Sequence, residues 1–471
     1  MTSQLPSDLG MASAADLVKS YAEGSVSPVE ATQAALAAIA RHDETLNAFV
    51  GVDEEGALAA AKEAEERWRL GVPKGRIDGV PTSIKDIVDL KGWRTAKGSK
   101  TLADAPLARQ DAPCSARLRE HGAVILGKTT TPEFGWKGVT DSPLTGVTRN
   151  PWDPGKTPGG SSGGASAAVA AGMGALAIGT DGGGSVRIPA AFTGIFGIKP
   201  SFGRVPAFPL SPFGTVAHIG PMTRTVTDGA LMLNVIAEPD PRDWYALPKE
   251  AADFTAGLDD GVSGLKIAFS PTLGGHPVDP EVAALVKAAA LKFADLGATL
   301  EEAEPTLRDV EQVFRTLWFA GAANLSQNFT EAQKSALDPG FRDIAAAGSA
   351  YGLMDYLDAV AKREAMGTTM NLFHQDYDLL LTPALPIPAF AAGEEYPRDQ
   401  DNDRWVNWTP FTYPFNLTQQ PAASVPCGLT SAGLPVGFQI VGPSYGDRLV
   451  LQAARAYEID QPFQMPSSRF D

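Results

Sequence analysis

Between Lys156 and Asp181 the chain carries no charged residue, and the stretch is built largely from glycine, serine and alanine. A segment this long without charge belongs inside a protein core or inside a bilayer. Its small, often hydroxylated side chains fit the first setting, because membrane spans are built from large apolar residues. The local pattern reads as a loop, an Ala-rich helix over 164–173 and a strand over 175–180. Ser161 and Ser162 stand at the start of that helix, and the strand runs into Gly182-Gly183-Gly184-Ser185. The expectation is a buried loop–helix–strand unit with serines at both of its turns.

The flanking sequence alternates between helical and extended patterns. Ser27-Pro28-Val29-Glu30 is a strong helix start, with Ser at the N-cap, Pro at N1 and Glu at N3. A weaker start lies at Ser13, and a third helix is expected over about 55–70. Val80, Thr82 and Ile84 alternate with Pro81, Ser83 and Lys85, which predicts a strand whose lysine faces away from its apolar residues. A second strand is expected over 123–126, then a long loop over 129–158, of the kind that lines binding sites. A short helix over 186–192 follows Ser185. Further strands are expected over 265–269, 377–381, 422–425 and 436–441, and helices over 280–296, 307–332 and 449–457. This alternation predicts an α/β protein with one large mixed β-sheet flanked by helices on both faces. Residues 1–75 are expected to form a helical segment packed on a main domain covering 76–471.

The formal net charge of −16 opposes binding to nucleic acid or to an anionic membrane surface. Cys114 and Cys427 are far apart and form no paired motif, which suits a reducing compartment. The start MTSQLPSDLG lacks a cationic and apolar leader pattern, so a cytoplasmic location is expected. The five histidines include no HExxH, and neither a metal nor an organic cofactor is expected. No oligomeric state follows from the sequence; a homodimer is compatible with it.

A serine hydroxyl becomes a nucleophile only with a base nearby and donors for the oxyanion it creates. The glycines before Ser185 allow backbone N–H groups to converge on one point, close to the positive end of the following helix. Lys85 is the candidate base. Keeping half of a lysine neutral at pH 7 costs about 4.6 kcal/mol relative to water, a size that burial supplies. Ser161 or Ser162 could relay the proton, since a hydroxyl both donates and accepts. Each piece alone has a plainer reading. The three serines suit helix N-caps, and Lys85 has Asp86 beside it as an ion-pair partner.

Taken together, the span Gly159–Pro189 resembles the signature of the amidase signature family. Gly79-Val80-Pro81 followed by Lys85-Asp86 is similar to the family's lysine motif. The likeness extends through Gly127–Thr130, Asn150–Trp152, Gly197–Pro200, Leu381–Pro383, Ser424–Pro426 and Gly433–Pro435, and so covers most of the chain. The resemblance implies the amidase signature fold and a Ser-Ser-Lys triad of Ser185, Ser161 and Lys85, with a cis peptide before Ser161. It also implies oxyanion donors at Gly182, Gly183, Gly184 and Ser185, and supporting roles for Ser162, Asp181 and Arg187. The substrate would be a small amide, attacked through an acyl-enzyme that water then opens. The sequence departs from the pattern at Gly182, where many relatives carry threonine or a larger residue, and a wider hole is expected there.

Two activities sharing this triad compete with simple amide hydrolysis. One is carbamate cleavage, which uses the same attack on a carbonyl. The other is that of the glutaminase subunit in a tRNA-dependent amidotransferase. Ahead of Asn416, where those glutaminases carry an aspartate, this chain has Trp408-Thr409-Pro410-Phe411-Thr412, which favours a stand-alone amidase with a hydrophobic or aryl substrate. Phe134, Trp136 and Trp408 are the aromatic residues expected to contact it. An α/β-hydrolase elbow at Gly160–Gly164 would need an apolar strand before it, and Asp153–Pro158 is not one. A phosphate-binding module would need GxxxxGK[ST], which is missing.

Overall fold

The computed structural model describes residue 6 and residues 8–249, 253–398 and 402–466. Residues 1–5 and 7, on which the leader reading partly rests, lie outside the described residues. Eleven strands form one mixed sheet: β1 (Phe49–Val52), β2 (Pro81–Lys85), β3 (Val124–Thr129), β4 (Leu176–Asp181), β5 (Phe196–Lys199), β6 (His218–Thr223), β7 (Lys266–Phe269), β8 (Thr299–Glu302), β9 (Leu379–Pro383), β10 (Ala422–Leu429) and β11 (Pro435–Val441). Their spatial order is β1-β3-β2-β4-β6-β5-β10-β11-β9-β7-β8.

Alternation along the central strands explains the two helical layers. In β4, Leu176 and Ile178 enter one apolar cluster with residues of helices Ala14–Glu23, Val226–Ile236 and Asp447–Asp460. Ala177, pointing the other way, packs with Ala165, Val169 and Ala170 of helix Gly163–Ala170. A strand covered on both faces buries every side chain, and β2 does so from Pro81 to Lys85. The charge-free stretch is thus a buried loop, helix and strand. Among the described residues no helix is long and apolar enough to cross a membrane.

The N-terminal helices start where capping chemistry places them. Ser27 and Glu30 form a reciprocal capping box at helix Pro28–Leu46, and Ser13 caps helix Ala14–Glu23. Between the second and third helices, Phe49–Val52 pairs antiparallel with β3 and closes one edge of the sheet. The single helix expected over 307–332 is instead two. Helix Val310–Ser326 ends, and a capping box at Thr330 and Gln333 starts helix Glu331–Ala336. Helices Pro339–Gly348 and Leu353–Asp376 follow and pack on Val310–Ser326. Together with the 129–158 loop they enclose an aromatic cluster containing Phe134, Phe213, Phe314, Trp318 and Trp405.

Strand direction sets the site. β2 runs parallel to β4, with Ile84 opposite Ile178, so Lys85 and Thr180 finish side by side at the same end of the sheet. The turns that leave the carboxyl ends of adjacent parallel strands are where open sheets form clefts. Ser161 and Ser162 reach the same place from the start of helix Gly163–Ala170.

Candidate active site

Lys85 is fully buried, and its Nζ lies 2.7 Å from Ser161 Oγ, 2.8 Å from Ser162 Oγ and 2.8 Å from Thr180 Oγ1. Burial drives the Lys85 pKa well below the ordinary lysine value, and the Asp181 charge opposes this only in part. Asp86 is not its partner: that carboxylate pairs with Lys128 at 2.7 Å. Three hydroxyls therefore surround an amine that desolvation holds toward its neutral form.

Ser162 occupies the N-cap position of helix Gly163–Ala170 but makes no side-chain cap bond. Its Oγ donates to the Thr180 carbonyl at 3.1 Å and accepts from the Thr180 N–H at 3.2 Å. A hydroxyl has one proton. With that proton on the Thr180 carbonyl, Ser162 can only accept from Lys85, which leaves Ser161 free to turn its own proton toward the nitrogen. The Gly160–Ser161 peptide is cis.

Ser185 follows β4, with Val186 rather than Ser185 at the N-cap of helix Arg187–Thr193. Ser161, Thr180, Gly182 and Ser185 all line one cavity of about 410 Å³. The rest of its wall is mainly apolar and includes Ile87, Phe134, Phe208, Phe213, Trp318 and Leu325. Within the Gly182–Ser185 turn, the Gly184 N–H donates to Asp181 Oδ1 at 2.8 Å and is turned into the loop. The amides of Gly182, Gly183 and Ser185 remain as candidates to meet a carbonyl oxygen. Gly184 has φ +126°, and a Cβ there would sit 2.3 Å from Thr412 Oγ1, so both backbone and packing require glycine.

Asp181 and Arg187 brace this turn from behind. The guanidinium donates to both Asp181 oxygens at 3.0 and 2.9 Å, and also to Asn416 Oδ1, Gln439 Oε1 and the Thr412 carbonyl. Burial alone would raise the Asp181 carboxyl. Arg187, by charge and hydrogen bonds, with help from Lys199 and Asn416, holds it below the usual carboxylate range instead.

The aromatic expectations separate. Phe134 lines the cavity, whereas Trp136 and Trp408 are not among its lining residues. Trp136 lies under helix Pro339–Gly348, where a Cβ on Gly340 would meet its ring at 2.5 Å. Trp408 stacks on Phe192 with centroids 5.8 Å apart. These large rings sit in the core because burial of their area outweighs any pull toward the cleft. The expected room at Gly182 is not open either: the Trp318 ring fills it, 2.8 Å from where a Cβ would stand. Thr180 lies inside the signature span, yet nothing in the sequence assigns it a role; its hydroxyl is brought to Lys85 by the pairing of β2 with β4. Among the described residues no three His, Cys, Asp or Glu side chains gather to hold a metal ion.

A sequence model of the amidase family matches residues 30–451. The chain is 38% identical over 458 residues to an acylamidase of Rhodococcus erythropolis, covering 96% of each protein. It is 36% identical over 476 residues to a glutamyl-tRNA(Gln) amidotransferase subunit of Myxococcus xanthus, covering 95% of this chain and 97% of the relative. Among solved structures, a bacterial aryl acylamidase of the amidase signature enzymes superposes with a TM-score of 0.89 at 32% identity, covering 96% of both chains. A 6-aminohexanoate cyclic dimer hydrolase superposes with a TM-score of 0.88 at 28% identity, covering 97% of this chain and 99% of that one.

Proposed function

The chain belongs to the amidase signature family of hydrolases that act on carbon–nitrogen bonds other than peptide bonds, and from that premise we propose that it is a stand-alone amidase cleaving small hydrophobic or aryl carboxamides. Ser185 is the nucleophile, Ser161 the relay and Lys85 the base. The observation that carries this reading is a fully buried lysine amine 2.7 Å from Ser161, a serine facing the same cavity as Ser185.

The sequence of steps follows from the donor and acceptor count. Neutral Lys85 has two N–H bonds and one lone pair. Donating to Ser162 and Thr180 leaves the lone pair for the Ser161 proton. As Ser185 attacks the amide carbonyl, its proton passes to Ser161 and the Ser161 proton passes to Lys85. The carbonyl oxygen takes up negative charge against the amides of Gly182, Gly183 and Ser185. Collapse of the tetrahedral intermediate breaks the C–N bond, the proton returns through Ser161 to the departing amine, and an ester to Ser185 remains. Water, deprotonated through the same pair, hydrolyses that ester and releases the acid.

The mainly apolar cavity supports a hydrophobic substrate, and the likeness to a bacterial aryl acylamidase supports an aryl one. Carbamates would use the same chemistry. The test is amine release from a panel of aliphatic amides, anilides, aryl carbamates and glutamine, by the wild-type protein and by Ser185→Ala. The expected result is turnover of hydrophobic amides or anilides that Ser185→Ala abolishes while its melting temperature stays unchanged. Wild-type rates in the variant would overturn the assignment.

A further inference from the structure

Position 182 carries no side chain, yet the space beside it is full. A Cβ on Gly182 would stand 2.8 Å from Trp318 Cζ3 and 3.0 Å from Cη2, so the benzo edge of the indole abuts the strand end that turns toward Ser185. Trp318 lines the same cavity as Ser161, Gly182 and Ser185. It cannot swing aside. Phe213 stacks on the indole at 3.8 Å and 10°, and Phe314 stacks on it at 5.3 Å and 20°. Its Nε1 donates to the Trp136 carbonyl at 3.0 Å, which fixes the ring in its plane.

We propose that Trp318 is the specificity-determining residue for the width of substrate tolerated beside the reacting amide, and that Gly182 and Trp318 act as one unit. This rests on the amidase reading above and adds to it the residue that does the selecting. A clamped ring in the cavity wall, with its benzo edge against Gly182, is a hard stop, because packed interiors yield little to extra volume. It admits flat or unbranched groups next to the scissile bond, and an aryl ring can meet its edge in a T-shaped contact. Groups that branch at the first atom collide with it.

The experiment compares kcat/KM for two substrate pairs, acetanilide against pivaloyl anilide and N-butylacetamide against N-tert-butylacetamide, in the wild type, Trp318→Leu, Gly182→Ala and the double variant. The first pair branches on the acyl carbon and the second on the amine side. Replacing the indole by leucine is expected to raise the branched-to-unbranched ratio by about tenfold or more in one of the pairs, the range that a few methylene groups command in a pocket. Gly182→Ala alone is expected to lower turnover, and adding Trp318→Leu to restore it, because the new methyl then has room. A purely structural role for Trp318 would lower both members of each pair equally. Unchanged ratios in both pairs, with a wild type active on the unbranched amides, overturn the inference and leave the amidase reading standing. A wild type inactive on every amide overturns both. If Trp318→Leu melts early, Trp318→Phe reads the same ratio with a smaller change.

Discussion

At the residue scale the site depends on a lysine with too few charges around it. Three hydroxyls accept from an ammonium, but they compensate it less well than water or a carboxylate, so burial prevails and pushes the Lys85 pKa well below the ordinary lysine value. Thr180 belongs to this group. In the proposed relay its Oγ1, 2.8 Å from Lys85 Nζ, is one of the two acceptors that orient the amine toward Ser161. Thr180→Val removes that acceptor and is expected to lower kcat by about tenfold with a smaller change in KM, as a group that acts through the base. The ammonium loses more from the missing acceptor than the amine does. The Lys85 pKa therefore falls, and the acid limb of the pH–rate profile should move to lower pH. A limb that moves up, or stays put while kcat falls, would contradict the proposed orientation. Lys85, Ser161 and Ser185 were legible in the sequence because motif spacing fixes them. Thr180 was not, because its role exists only once β2 and β4 lie parallel with Ile84 against Ile178.

At the scale of elements, the turn from β4 into helix Arg187–Thr193 is held by one buried ion pair in which every oxygen and most guanidinium protons have partners. Such a pair is costly to break from one side, since the survivor is left charged in the core. Asp181→Asn is expected to destabilise the protein by about 3–5 kcal/mol, measured by denaturant unfolding. The sign with pH follows from the carboxyl being held below its ordinary range. Its stabilising contribution is present above the unfolded carboxylate pKa and fades as pH falls through the lower folded value, so wild type and variant should converge in acid. Equal stability at neutral pH would show that the brace does not hold the turn. Elements with clear periodicity or caps were readable: β2, the Ser27 helix and the 280–296 helix all stand where the pattern put them, within a residue or two. Others were hidden, β6 and helix Leu353–Asp376 among them. β6 contains Gly220-Pro221, residues that normally argue against a central strand. Helix Leu353–Asp376 buries only Ala359, Met366 and Met370, too few to print a helical stripe.

For the whole molecule, the sheet supplies the reactive groups and the aromatic layer shapes the room above them. The first was legible because strand ends and glycine turns leave local marks. The second was not, because Phe213, Trp318 and Leu325 converge from segments with no motif in common. The segment Trp408–Thr412, expected near the substrate, instead packs behind the signature: Thr412 bonds the Gly183 carbonyl and Arg187. The cavity wall is mainly apolar, although Asp89, Lys97 and Asp243 also line it, and the segment Trp408–Thr412 offers no carboxylate ahead of Asn416 to anchor the glutamine ammonium. Glutamine hydrolysis is therefore expected to stay near background and not to rise when the partner proteins of a tRNA-dependent amidotransferase are added, as followed by ammonia release. A strong rise would favour the glutaminase reading that the Myxococcus xanthus relative raises.

The measurement that bears most directly on all of this is the rate of acylation of Ser185 by an activated anilide, followed by mass spectrometry across pH in the wild type and in Lys85→Ala. The wild-type rate should rise with pH to a plateau as the buried amine loses its proton, and the variant should acylate about a thousandfold or more slowly with that limb gone. Acylation of the variant at the wild-type rate, or a wild-type rate that falls as the amine deprotonates, would contradict the claim that a neutral Lys85 works through Ser161.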